Sequence, residues 1–134
     1  MKTSTMKSSK PIAELVESDF WKNMWAVFEV DREFKKENVT ICDYNAKNNK
    51  DIDYLANKGY NIERNENGSN KKYTIVLSTY QINENMSEYE INNHIYELES
   101  ISKGAIIFTT NKKVNKLNNI VPTIKTKNFN IYFS

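Results

Sequence analysis

Little in this 134-residue sequence is of the kind that builds a catalytic centre. One histidine, His94, and one cysteine, Cys42, are too few for a zinc site of the usual kind. The lone cysteine also excludes an internal disulfide framework and favours a reducing compartment. The three glycines, Gly59, Gly68 and Gly104, each stand where a turn or a helix end is expected. None is left for a phosphate-cradling loop. No apolar run approaches the length that crosses a bilayer. The opening MKTSTMKSSK is basic, but the following PIAELVESDF carries two glutamates and an aspartate, which a signal-peptide core does not tolerate. Acidic residues stop at Glu99. These absences lead to the expectation of a cytoplasmic, non-enzymatic protein without metal, cofactor or membrane attachment.

What the sequence does hold is enough to fold. Hydrophobic residues make up 39% and aromatics 12%, too many for a disordered chain, and charge at 27% is ordinary. The length suits one domain with one moderate core. Residues 1–10 have nothing to bury and read as a flexible tail, leaving 11–134 as a single α+β domain. Lysine far outnumbers arginine, and asparagine and isoleucine are abundant, as in the products of AT-rich genomes. The net charge of +2 is small, but its distribution is not even. Five glutamates and no lysine or arginine lie between Glu84 and Glu99, and six lysines with no acidic residue follow.

The best-specified stretch runs from Tyr73 to Thr110. Tyr73, Ile75 and Leu77 alternate with Thr74, Val76 and Ser78 in a β-branched and aromatic run that predicts a strand. Ser87 stands three residues before Glu90, the spacing of a capping box. Ile91, Ile95, Leu98 and Ile101 then share a helical face, Gly104 is placed to end that helix, and AIIFTT reads as a buried strand. Upstream, Pro11 opens a helix whose Ile12, Leu15, Val16 and Phe20 share a face extended by Trp21, Met24 and Trp25. Residues 25–31 and 39–44 read as strands. Ile52, Leu55 and Ala56 suggest a short helix closed by Gly59, and 60–65 another strand. Asn67-Gly68 predicts a hairpin that sets 60–65 antiparallel to 72–79. The order is therefore βαββαβ, a ferredoxin-like sandwich with an added N-terminal helix and strand. Ile120–Ile124 and Phe129–Phe133 add C-terminal edge strands.

Four constellations are candidates for function. Cys42 and His94 would make a thiol–imidazole pair only if they met; a buried thiol in a strand and a packed histidine are the plainer reading. Asp43, Asp51 and Asp53 suggest a cation site, although carboxylates at a helix start are favoured by the dipole alone. Glu84, Glu88, Glu90, Glu97 and Glu99 lie mostly off the apolar stripe of their helix and offer a docking surface for a basic partner. Lys112, Lys113, Lys116, Lys125 and Lys127, interleaved with Phe129 and Tyr132, have the mix of charge and stacking surface that holds single-stranded nucleic acid.

Over residues 50–110 the sequence also resembles the regulator of ribonuclease E activity B family. The residues that carry the likeness are Leu55, Gly59-Tyr60 and Ile62, a polar hairpin, Tyr73-Thr74 with Ser78, and a helix ending LESISKGA. Where that family has a Gly-Trp segment after its second helix, this chain has Ala105-Ile106-Ile107-Phe108, and its C-terminus is basic rather than acidic. The resemblance implies a ferredoxin-like fold and a protein that binds and restrains another macromolecule. Residues and resemblance together lead to the expectation of a small interaction protein that modulates a protein partner, a nuclease being the first class to consider, as for inhibitor or immunity proteins. A single-stranded nucleic-acid-binding module is the alternative. The apolar N-terminal helix is expected to be buried within the monomer or across a homodimer.

Overall fold

The computed structural model describes residues 10–17, 39–65, 71–114, 117, 122 and 124–133. Among them, three helices and six strands follow in the order α1 (Ile12–Val16), β1 (Thr40–Tyr44), α2 (Lys50–Asn57), β2 (Asn61–Asn65), β3 (Tyr73–Ile82), α3 (Glu88–Ser100), β4 (Ser102–Asn111), β5 (Ile124–Lys125) and β6 (Phe129–Phe133). The strands form one mixed sheet in the order β2-β1-β3-β4-β6-β5. None of these helices is long and apolar enough to cross a membrane.

The element order βαββαβ is the predicted one, but the strand pairing is not. β1 lies between β2 and β3 and pairs with both in parallel, Ile41 opposite Ile62 on one side and Ile75 on the other. β3 and β4 are parallel as well. The antiparallel hairpin of β2 with β3 is therefore not formed, although Asn67-Gly68 itself lies outside the described residues. The predicted ferredoxin-like pattern gives way to an open sheet that runs outward from β1 and β3 in both directions. The physical reason is burial. β1 is covered from Ile41 to Tyr44, and β3 and β4 have continuous buried runs, the mark of parallel strands enclosed on both faces. β2, with Asn61, Glu63 and Arg64 in solvent, suits only an edge.

Crossovers that proceed in opposite directions from the middle of a sheet place their helices on opposite faces when both are right-handed. The core divides accordingly. Val39, Ile41, Ile75, Leu77, Ala105, Ile107 and Ile131 pack with Leu55 of α2 and Ile12, Ala13 and Val16 of α1. Cys42, Tyr44, Val76, Ile106, Phe108 and Tyr132 pack with Ile91 and Leu98 of α3 on the other face. Successive residues of each strand thus serve opposite layers.

The N-terminal helix is seen from Ile12 to Val16, against the α2 layer. Its predicted continuation through Phe20, Trp21, Met24 and Trp25, and the strand at 25–31, lie outside the described residues. Two devices seat α1. Asp51 accepts from the Ala13 N–H at 2.8 Å, capping the helix start from the first turn of α2. Glu17 accepts from the hydroxyls of Tyr54 at 3.0 Å and Tyr60 at 3.2 Å. In α2 it is Asp51 and Leu55 that are buried, while Ala56 is exposed. Gly59 takes a φ of 95° after that helix, the left-handed turn expected of it. Gly104 does not end α3. The helix stops at Ser100, and Gly104 is a strand residue whose N–H reaches Ser102 Oγ at 3.2 Å. At the C-terminus β6 pairs antiparallel with β4, and the short β5 forms the edge.

Candidate functional site

α3 begins as its sequence dictates. Ser87 Oγ accepts from the Glu90 N–H at 3.1 Å, and the Glu90 carboxylate accepts from the Ser87 N–H at 2.8 Å. Below this cap the helix buries Ile91 and Leu98 and turns its opposite side to solvent. Tyr89 and Tyr96 crown that side at 74% and 69% exposure. They are seven residues apart, about two helical turns, and so share one line along the helix. Glu88 and Glu99 flank the line on one side, and Glu90 and Glu97 on the other. Glu97 also accepts from the Tyr44 hydroxyl at 3.4 Å, which ties this flank to β1. Sequence reasoning had the carboxylates but not the tyrosines. The signal that could have found them is their seven-residue spacing off the isoleucine stripe.

Glu84 does not belong to this face. It precedes the helix and accepts from the side-chain amide of Asn111, which holds its carboxyl below the usual carboxylate range. It sits at the carboxyl end of β4 beside the basic segment.

The structure also divides the basic set. Lys112 and Lys113 lie in the turn after β4, Lys125 is in β5, Lys127 precedes β6, and Lys116 is outside the described residues. Lys112 donates to Asn130 Oδ1 at 2.7 Å. Phe129 is half-buried and meets Tyr80 edge-on. Tyr132, however, is buried and stacked on Phe108, ring centroids 5.0 Å apart. No base can reach it, so its predicted stacking role is withdrawn. In register with Phe108 across the β4–β6 pair, it faces the α3 layer.

The hydrogen-bond partner of His94 is Ser78 and not Cys42: His94 Nε2 lies 2.8 Å from Ser78 Oγ. Burial first, then Asp43 and Glu63, push the Cys42 thiol up to about 12, which keeps it protonated and inert. Burial lowers the His94 pKa against the pull of Glu97. Ser78 is fully buried and His94 half-buried, so this pair ties α3 to β3. Asp43 and Asp51 are both buried, while Asp53 is exposed. Burial, then repulsion from Asp51, raises Asp43 to about 7. Among the described residues no three histidine, cysteine, aspartate or glutamate side chains are grouped to hold a metal ion. Comparison with known protein families yields no match, and comparison with curated proteins yields none.

Proposed function

We propose that this chain is a non-catalytic interaction protein that docks a basic protein partner on the outer face of α3. The observation that carries the reading is the pair Tyr89 and Tyr96, solvent-exposed and aligned, with carboxylates along both flanks and no lysine or arginine between residues 84 and 99. Tyrosine is among the residues that dominate binding energy in protein interfaces. The surrounding glutamates suit a rim that steers a cationic partner and discourages acidic ones. A nuclease is the partner class to try first, because a row of carboxylates can occupy a groove built for phosphates.

The test uses affinity capture from the native host, identification of the bound protein, and binding kinetics with purified components. Tyr89→Ala with Tyr96→Ala should leave the melting temperature unchanged and weaken binding by roughly 2–4 kcal/mol, mostly through faster dissociation. Glu88→Lys with Glu99→Lys should slow association, more so at low salt. A partner that binds both double variants as it binds the wild type would remove α3 from the interface.

A further inference from the structure

At the carboxyl ends of β3 and β4 there is a cavity of about 260 Å³, lined by Tyr80, Ile82, Asn83, Asn111, Asn128 and Phe129. Ligands of open α/β sheets gather outside the carboxyl ends of the parallel strands. Three features of its walls converge.

The first is the backbone. β3 slips out of register with β4 between Ser78 and Ile82, and within that irregularity Tyr80 has a φ of 59°. A bulky residue in the left-handed region is strained, and such strain together with a bulge collects beside functional sites. Thr109 Oγ1 accepts from the Tyr80 N–H at 2.7 Å and holds it there. Tyr80 is left 49% exposed.

The second is aromatic geometry. The Tyr80 and Phe129 rings stand 5.7 Å apart at an interplanar angle of 80°. Together they offer a flat surface and a perpendicular wall, the shape that receives one planar ring system.

The third is polar and charged chemistry. Asn83 uses its oxygen on the Asn85 N–H at 2.9 Å, which leaves its amide NH₂ as a donor, and Asn128 is exposed at the rim. Asn111 is engaged at both ends, by Glu84 and by the Lys113 N–H, and so acts as a fixed wall. Lys112 and Lys113 follow Asn111, and Lys127 precedes Asn128. Lys112, Lys113 and Lys127 thus adjoin wall residues along the chain, as Glu84 adjoins Asn83, and the Tyr80 hydroxyl is pushed up first by burial and then by the Asp51 carboxylate.

We propose that this cavity binds a nucleotide, its base stacked on Tyr80 and bounded by Phe129, its phosphate drawn by Lys112, Lys113 and Lys127. Carboxamides match the donor and acceptor edges of nucleobases, and lysine suits a phosphate as a point charge. The volume lies just below the ~300–1,000 Å³ of pockets for drug-sized ligands, a size suited to one nucleotide unit. A free mononucleotide and the end of a single strand present the same chemistry.

Calorimetry with AMP, adenosine and an oligo(dA) strand of about eight nucleotides tests the site, with the side-chain amide signals of Asn83 and Asn128 followed by NMR. AMP should bind, shift those signals, and exceed adenosine in affinity by about tenfold. Tighter binding of the oligonucleotide than of AMP assigns a strand as the source; equal or weaker binding assigns a free nucleotide. Tyr80→Gly relieves the positive φ, so the variant should fold at least as stably while losing about tenfold in AMP affinity. Lys112→Ala with Lys113→Ala should abolish the preference for AMP over adenosine. No binding of AMP at millimolar concentration, unchanged affinity in folded Tyr80→Gly, or equal affinity for AMP and adenosine would overturn the proposal.

Discussion

Asp43 is the residue whose chemistry departs furthest from what its neighbours in sequence suggest. It sits near the end of β1 on the α2 face, fully buried, and among the described residues its Oδ1 has no hydrogen-bond partner. Burial and the nearby Asp51 raise its pKa from 3.8 to about 7, with Arg64 pulling the other way. A carboxyl raised on folding binds its proton more tightly in the native chain than in the unfolded one. Between about pH 4 and 7 the native state therefore holds a proton that the unfolded state has lost, and stability falls as the pH rises through this window. Asp51 is raised as well, chiefly by burial, and adds in the same sense. His94 opposes them, because its lowered pKa makes the fold lose stability as pH falls below the ordinary histidine value of 6.5. Asp43→Asn isolates the first contribution. At pH 8 the variant should be more stable than the wild type by on the order of 3 kcal/mol, and the difference should vanish near pH 4. Thermal melts across that range check it, and an Asp43→Asn protein destabilised at pH 8 would show that the ionised carboxylate has a structural task.

At the scale of single elements, α3 shows how much of a helix a sequence can announce. Ser87 and Glu90 predict its start, and the reciprocal capping bonds are present. Replacing Ser87 by alanine should cost about 1 kcal/mol, read as a lowered unfolding midpoint with an unchanged denaturant slope. A loss below a few tenths would mean that the Glu90 half of the box suffices. The helix end was less legible. Gly104 looks like a stop, but the chain has already turned, because Ile101 must tuck beneath the helix and its carbonyl accepts from the Tyr73 N–H at 2.8 Å. That bond joins the end of α3 to the start of β3, and no local pattern encodes a partner so distant in sequence. The tyrosines of the outer face were legible in spacing, but a search for apolar stripes passes over residues that are exposed.

At the scale of the whole molecule, the elements were legible and their pairing was not. YTIVLS can be read as an alternating strand or as one buried on both sides, and only the second reading leads to parallel neighbours. The Asn-Gly pair biased the reading toward a local hairpin, whereas the sheet is decided by which strands can be enclosed between two helical layers. The α2 layer is completed by α1, and the reason was hidden in polar residues. Asp51 looked like an ordinary first-turn carboxylate, yet it caps the start of α1, while Glu17 receives two tyrosine hydroxyls from α2 and the chain just beyond it. Ile12, Ala13 and Val16 then lie at or below 1% exposure against Val39, Ile41, Leu55 and Ile75. Each large apolar side chain buried there contributes roughly 1.5–3 kcal/mol, and the cap about 1 more. A domain of this kind holds only about 5–15 kcal/mol in total, so loss of α1 removes a large share while exposing the apolar face beneath it and leaving Asp51 without its donor. Deletion of residues 1–17 should therefore give a chain that aggregates or unfolds at room temperature by size-exclusion chromatography and circular dichroism. Glu17→Ala, which spares the apolar contacts, should remain folded and lose about 1–3 kcal/mol. A truncated chain that stays monomeric and melts cooperatively near the wild-type temperature would make α1 a detachable segment, and the contacts of Asp51 and Glu17 would then serve to hold it in reserve for a partner.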